Sequence, residues 1–303
     1  MADVIDPTAA TDPHLSRRAF VAISTGAAAA VAGGAPALAA DGTMGATHPP
    51  LVAEDDPDIV VERPRLDRPG GAIDAYAAYP RGATKTTPGV VVVQHVWGVD
   101  TSIRDVVRRF AKAGYVSIAP DLYARLGAPS GDGGTDFSIF SPIAQKLVDD
   151  QVDGDIVAGA AWIRSRAGVG SDVRPPKVGV NGFCMGGSIA LRASVDSRQF
   201  DAAAVWYGKI RQATSPAGRA TEISMAYTDK VLMPIVGSFG GRDTSIPADD
   251  VHTLAARLRV ESDLKIYDEA GHAFFDDQRQ SYVASAAADG WRRTLAWFGK
   301  HLA

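Results

Sequence analysis

What the chain is short of narrows its chemistry first. It holds a single cysteine, Cys184, in 303 residues, so it cannot form an intramolecular disulfide framework or a multi-cysteine metal cluster. Its six histidines (His14, His48, His95, His252, His272 and His301) include no HExxH-type pair, so no metal site is expected. It has no run rich in lysine and arginine. Its 31 basic and 35 acidic side chains leave a formal charge of -4, which gives no electrostatic reason to expect a nucleic-acid partner. Long apolar runs are also missing. Residues 21–34 are alanine- and glycine-rich with one isoleucine and neither leucine nor phenylalanine, too weakly apolar to favour a permanent membrane anchor.

What remains, 46% hydrophobic and 22% charged residues, is the make-up of an ordinary globular protein with ample material for a core. The first 40 residues differ in kind. Ser16-Arg17-Arg18-Ala19-Phe20 precedes the alanine-rich stretch, and Ala37 and Ala39 suit an A-x-A cleavage site. This resembles a twin-arginine export signal, so the expectation is a periplasmic or secreted protein cleaved near Ala39, with no stable membrane insertion afterwards. An uncleaved anchor and a disordered tail are the alternatives. Residues 41–58 read as a linker, and 59–303 as one catalytic domain without internal repeats.

Strands are expected at 59–66 and 72–79, joined by the turn Asp67-Arg68-Pro69-Gly70-Gly71. Val90-Val91-Val92-Val93 reads as a strand buried on both faces of a parallel sheet. Helical spacing covers 101–113, with Thr101 or Ser102 as N-cap and Gly114 as the stop. Strand 115–119, a long loop over 127–140, helix 152–166 and strand 177–181 follow. Further strands are expected at 202–207, 231–238 and 264–267. Helices are expected at 247–259, with Pro247 in the first turn, and at 282–301. Alternating strands and helices predict an α/β protein, a mostly parallel central sheet with helices on both faces.

The most informative segment is Gly182-Phe183-Cys184-Met185-Gly186-Gly187, between the strand-like 178–181 and a helical run. A strand, a sharp turn and a helix with a nucleophile at the apex is the nucleophile-elbow pattern, here with sulfur instead of oxygen. Gly186 and Gly187, lacking Cβ, let strand and helix approach closely. A buried structural thiol is the alternative. In such folds an acid and then a histidine follow, each on a loop after a later strand. The chain supplies both: strand 231–238 runs through Gly240-Gly241-Arg242 into Asp243, and Tyr267-Asp268-Glu269-Ala270-Gly271 leads to His272. Asp229, Asp249 and Asp250 are rivals to Asp243, but only Asp243 closes a strand and glycine loop. His252 falls within a helix and His301 near a helix end, leaving His272 as the base. The backbone N–H groups of Met185 and of Val96, in the loop after the valine strand, are the expected oxyanion donors.

Together these segments resemble the dienelactone hydrolase (carboxymethylenebutenolidase) family of the α/β-hydrolase fold from about Ile59 onward. The resemblance is carried by Gln94-His95-Val96-Trp97-Gly98-Val99, Ala119-Pro120-Asp121-Leu122-Tyr123-Ala124-Arg125, the Cys184 hexapeptide, Trp206-Tyr207-Gly208, Asp243, Gly271-His272-Ala273-Phe274 and Tyr282-Val283-Ala284-Ser285-Ala286-Ala287-Ala288. It implies a Cys184–His272–Asp243 triad that cleaves a small ester or lactone through a thioester, with no cofactor. A thioesterase, a promiscuous carboxylesterase or a non-catalytic binder on the same scaffold are the alternatives.

The chain departs from the family where the family carries a thiol-contacting glutamate, because His95 stands there. His95 is expected either to poise Cys184 or only to shape the oxyanion loop. Acids (Asp276, Asp277) stand where an arginine for a substrate carboxylate is usual, and no arginine occurs between Arg125 and Arg164. Neutral substrates are therefore expected to be preferred. Trp97, Tyr123, Phe137, Phe140, Tyr207 and Phe274 are candidates for an apolar pocket, with ordinary core as the alternative. Asp121 and Arg125 are expected to form a structural turn and ion pair.

Overall fold

The computed structural model describes residues 48–129, 131–132, 136–166, 175–210 and 228–303. The expected export signal and the linker up to residue 47 lie outside the described residues. From His48 onward the linker segment is bonded to the domain. Asp105 accepts hydrogen bonds from the N–H groups of Leu51 and Val52, both at 2.9 Å, and the His48 N–H donates to the Asp277 carbonyl.

The described strands form one nine-stranded sheet. They are β1 (Ile59–Glu62), β2 (Arg65–Leu66), β3 (Ile73–Pro80), β4 (Gly89–Val93), β5 (Val116–Pro120), β6 (Val178–Phe183), β7 (Ala202–Trp206), β8 (Ile235–Gly240) and β9 (Ser262–Tyr267). The order is β1-β3-β5-β4-β6-β7-β8-β9, with β2 pairing to β3 off this path. Strands β1, β2 and β3 pair antiparallel and the rest parallel. The valine run forms β4 at the centre, where all five residues are buried, as a parallel strand covered on both faces requires.

The helices are α1 (Thr101–Lys112), α2 (Phe137–Ala144), α3 (Asp149–Ser165), α4 (Met185–Asp196), α5 (Ala248–Arg257) and α6 (Ala284–His301). Phe110 of α1 meets Trp291 and Phe298 of α6 at ring-centroid distances of 4.6 and 6.0 Å, so these helices share one face of the sheet. Arg192 of α4 pairs with Asp149 and Asp153 of α3, the helices of the opposite face.

Several boundaries differ from the sequence reading. Asp100, not Thr101 or Ser102, caps α1, its Oδ1 accepting the Ile103 N–H at 3.1 Å. The strand expected over 59–66 splits at Arg63 and Pro64, because proline has no N–H for the ladder. The end of the loop expected over 127–140 is helical from Phe137, capped by Asp136. Strand β8 starts at Ile235 rather than Val231, because Pro234 cannot donate to the ladder. Pro247 stands at the N-cap position of α5, one residue before its first turn, and makes no side-chain capping bond.

The topology sets the site. From β4 the chain moves one way to β5, then crosses back so that β6 lies on the other side of β4. The loops after β4 and β6 leave in divergent directions there, opening a crevice at the carboxyl ends of the strands.

Candidate active site

The turn after β6 brings Cys184 to the rim of that crevice with φ 53° and ψ -114°, and α4 starts at the next residue. This backbone is sterically costly for a residue with a Cβ, roughly 1–3 kcal/mol, and persists only where its surroundings impose it. They do so tightly. A Cβ on Gly182 would lie 1.9 Å from the Gly186 carbonyl oxygen, and one on Gly186 would lie 2.3 Å from that of Val93. Among the described residues, the non-glycine residues with positive φ are Cys184, Tyr207 and Ala273, and all three line one cavity of about 510 Å³. The strained backbone is concentrated around this cavity.

Loops from β8 and β9 complete the geometry. His272 Nε2 lies 3.0 Å from Cys184 Sγ, and His272 Nδ1 lies 2.6 Å from Asp243 Oδ2. The other Asp243 oxygen accepts the Ser245 N–H at 2.9 Å and its hydroxyl at 2.6 Å, which fixes the carboxylate. Ser245 went unnoticed in the sequence, although an acid followed two residues later by serine is a common turn signature. Of the candidate acids, Asp243 is the one bonded to His272.

The electrostatics of the pair are mutual. Burial disfavours the His272 cation, yet the hydrogen bonds to Asp243 and Cys184 outweigh it and raise its pKa to about 10. Burial raises the Cys184 thiol, but His272, the more distant His95 charge and the Met185 N–H prevail, and its pKa falls below the ordinary value. Each group therefore favours the charged form of the other, which is the electrostatic basis for a thiolate–imidazolium pair. Met185 N–H, at the open N-terminus of α4, is directed at the sulfur. Val96 lines the same cavity, and its carbonyl accepts the Tyr123 hydroxyl at 2.9 Å, which holds the loop.

His95 does not bond the sulfur. Its Nδ1 accepts the Trp97 N–H at 3.1 Å, and its Nε2 faces Asp100 at 3.3 Å and Asp276 at 3.8 Å. Burial disfavours its cation, and the two carboxylates outweigh burial and raise its pKa. The Trp97 N–H occupies the Nδ1 lone pair, so the Nε2 edge of the ring is the one that faces the two carboxylates. Of the two expectations, the bond to Trp97 fits the shaping of the loop that bears Val96, and the influence of His95 on Cys184 is through its charge rather than through contact.

Of the other pocket candidates, Trp97, Phe137 and Tyr207 line the cavity, whereas Tyr123, Phe140 and Phe274 do not. Tyr123 and Phe140 pack beneath the Val96 loop, and Phe274 is fully buried. Arg125 pairs with Asp155, not Asp121, while Asp121 accepts the Tyr123 N–H. The sequence reading missed two cations on the cavity wall, Arg279 and Lys209. Arg279 lies seven residues beyond His272, past the two acids, and is bound by Asp100 at 3.0 Å and Asp276 at 2.8 Å. Its guanidinium also lies 4.5 Å from the centre of the Trp97 ring.

The fold and this cavity define an α/β-hydrolase. Within that class the chain belongs to the dienelactone hydrolase family, whose sequence model matches residues 73–302. It is 38% identical over 239 residues to a "Putative carboxymethylenebutenolidase" of Yersinia pestis, covering 77% of this chain and 85% of that one. A protein of the same name in Escherichia coli is 37% identical over 254 residues, 83% of this chain and 91% of that one. Among solved structures, a "Putative Dienelactone Hydrolase" of Klebsiella pneumoniae subsp. pneumoniae superposes with a TM-score of 0.70 at 34% identity, covering 80% of this chain and 99% of that one.

Proposed function

We propose that the protein hydrolyses small uncharged esters or lactones, with Cys184 as nucleophile, His272 as acid and base, and Asp243 as its orienting partner. The observation that carries this reading is the unbroken contact Sγ to Nε2 and Nδ1 to Oδ2, at 3.0 and 2.6 Å, inside a cavity. The names of the relatives, carboxymethylenebutenolidase and dienelactone hydrolase, support lactone or ester cleavage.

The thiolate attacks the substrate carbonyl carbon, and the carbonyl oxygen takes up the electron pair against the N–H groups of Met185 and Val96. As the tetrahedral carbon collapses, the C–O bond to the alcohol breaks and His272 gives its proton to the leaving oxygen. A thioester remains beside a neutral imidazole. Acylation removes the sulfur's negative charge, one of the causes that raised the His272 pKa, so the ring is suited to act as base. It takes a proton from water, the hydroxide adds to the thioester, and collapse releases the acid and restores the ion pair.

The preference for uncharged substrates rests on Arg279, whose charge is already neutralised by Asp100 and Asp276 and is not offered to a carboxylate. A panel of neutral and anionic esters and lactones tests both points. The expected outcome is a larger kcat/KM for neutral members and a loss of at least about 10³-fold in Cys184→Ala. Full activity in Cys184→Ala, or sluggish thiol-like alkylation of Cys184 by iodoacetamide, would refute the nucleophile. A dominant preference for anionic dienelactone would refute the neutral-substrate reading.

A further inference from the structure

The cavity lining divides by the elements that supply it, and this division reaches further than the triad. One wall is apolar: Val96 and Trp97 from the loop after β4, Phe137 and Ala144 from α2, and Met185 from α4. The loops after β7, β8 and β9 contribute Lys209, Ser245, and His272 with Ser281 to the rest of the lining. The apolar wall belongs to a small separate cluster in which Val96, Tyr123 and Phe140 are buried. Trp97 is held edge-on by Phe140 at 5.3 Å and by Phe137 at 6.2 Å. Phe137 itself is 57% exposed, a large apolar ring left in water at the cavity rim. An isolated exposed ring is ordinary, but this one extends a packed aromatic wall that runs from the rim towards Met185.

The chemistry assigns the two sides. At the tetrahedral carbon the leaving oxygen must face His272, because it receives that proton, and the oxyanion must face the Met185 and Val96 N–H groups. The remaining substituent, the acyl chain, then points away from His272 and along the apolar wall. Charge on that chain finds no partner there. Arg279, which contacts the Trp97 ring, is bound by Asp100 and Asp276, and the same two carboxylates face His95.

Resting on the hydrolase reading above, we infer that α2 and Trp97 form an acyl-binding wall, and that the substrate class is esters of apolar acids, medium-chain or aryl, not of acetate-sized ones. Phe137 is the specificity-determining residue of this wall. Burying one methylene against it is worth about 0.8 kcal/mol when complete, close to a fourfold gain in kcat/KM, and less at an open rim.

The test is a series of p-nitrophenyl esters from acetate through butyrate and hexanoate to benzoate, with wild-type protein, Phe137→Ala and Phe137→Leu. In the wild type kcat/KM is expected to rise at least about tenfold from acetate to hexanoate. The hexanoate-to-acetate ratio should fall at least about fivefold in Phe137→Ala and recover in Phe137→Leu. Turnover of the whole series with a flat or falling dependence on chain length overturns the acyl wall and leaves the hydrolase reading standing. So does an unchanged ratio in Phe137→Ala. A wild-type protein inert towards every ester overturns the hydrolase reading and the acyl wall with it.

Discussion

At the scale of single residues, the behaviour of the site follows from one exchange of charge. His272 is raised to about 10 and Cys184 is lowered, so the ion pair is the form expected between the two titrations. Because the groups interact strongly, the two limbs of the pH profile belong to the pair. The acylation rate should fall on the acid side as the thiolate is protonated, at a pH below the ordinary thiol value of about 8.5. It should fall again on the alkaline side near pH 10, as His272 loses the proton it must donate. Asp243 raises the His272 pKa, so Asp243→Asn should move the alkaline limb to lower pH. It should also cut kcat/KM by roughly 10²- to 10⁴-fold, read from pH–rate profiles of both proteins. An alkaline limb that does not move would show that Asp243 does not tune the imidazole. Cys184, Asp243 and His272 were legible in the sequence because each closes a strand and its turn, a local signal. The pairing of Arg279 with Asp100 was not legible, because it joins positions 179 residues apart with no shared pattern.

At the scale of elements, the turn between β6 and α4 works because nothing separates it from the loop after β4. A Cβ at Gly186 would sit 2.3 Å from the Val93 carbonyl oxygen and 2.5 Å from that of Gln94, and neither backbone atom can swing aside. Gly186→Ala should push α4 away from β4, at a cost of about 1–3 kcal/mol as an overpacked contact. Thermal unfolding should shift down by several degrees, and iodoacetamide should label Cys184 more slowly as the Met185 N–H leaves the sulfur. Unchanged labelling would mean that the helix terminus does not poise the thiol. Strand β6 before this turn and its neighbour β4 were readable from their valine and glycine content. Helix α2 was not, because Gly, Ser and Asp before it give a loop signature and Pro142 lies inside it. Its helicity comes from the Asp136 cap and from packing on Trp97, which only the fold supplies.

At the scale of the molecule, one buried ionic cluster ties three distant stretches together. Asp105 of α1 holds the backbone of Leu51 and Val52 and pairs with Arg109, and Arg109 also pairs with Asp277 in the loop that follows His272. Asp105→Ala would leave Arg109 with one carboxylate and two backbone N–H groups unpaired. The expected loss is roughly 3–5 kcal/mol, or about 5–15 °C in Tm, read by calorimetry. A shift under about 2 °C would show that the cluster is not a stabilising tie. The start of the domain was read at residue 59 because strand-like alternation begins there. The segment from His48 to Val52 is held through its main chain, which leaves no mark on side-chain pattern.

The single thiol has one more consequence. An oxidant that converts the Cys184 thiolate to a sulfenic acid meets no second cysteine in this sequence to form a disulfide with it. Recovery from peroxide then depends wholly on small thiols or reductases in the surroundings. Without them, further oxidation to the sulfinic acid is permanent, and under the proposed mechanism a single lesion would silence the molecule.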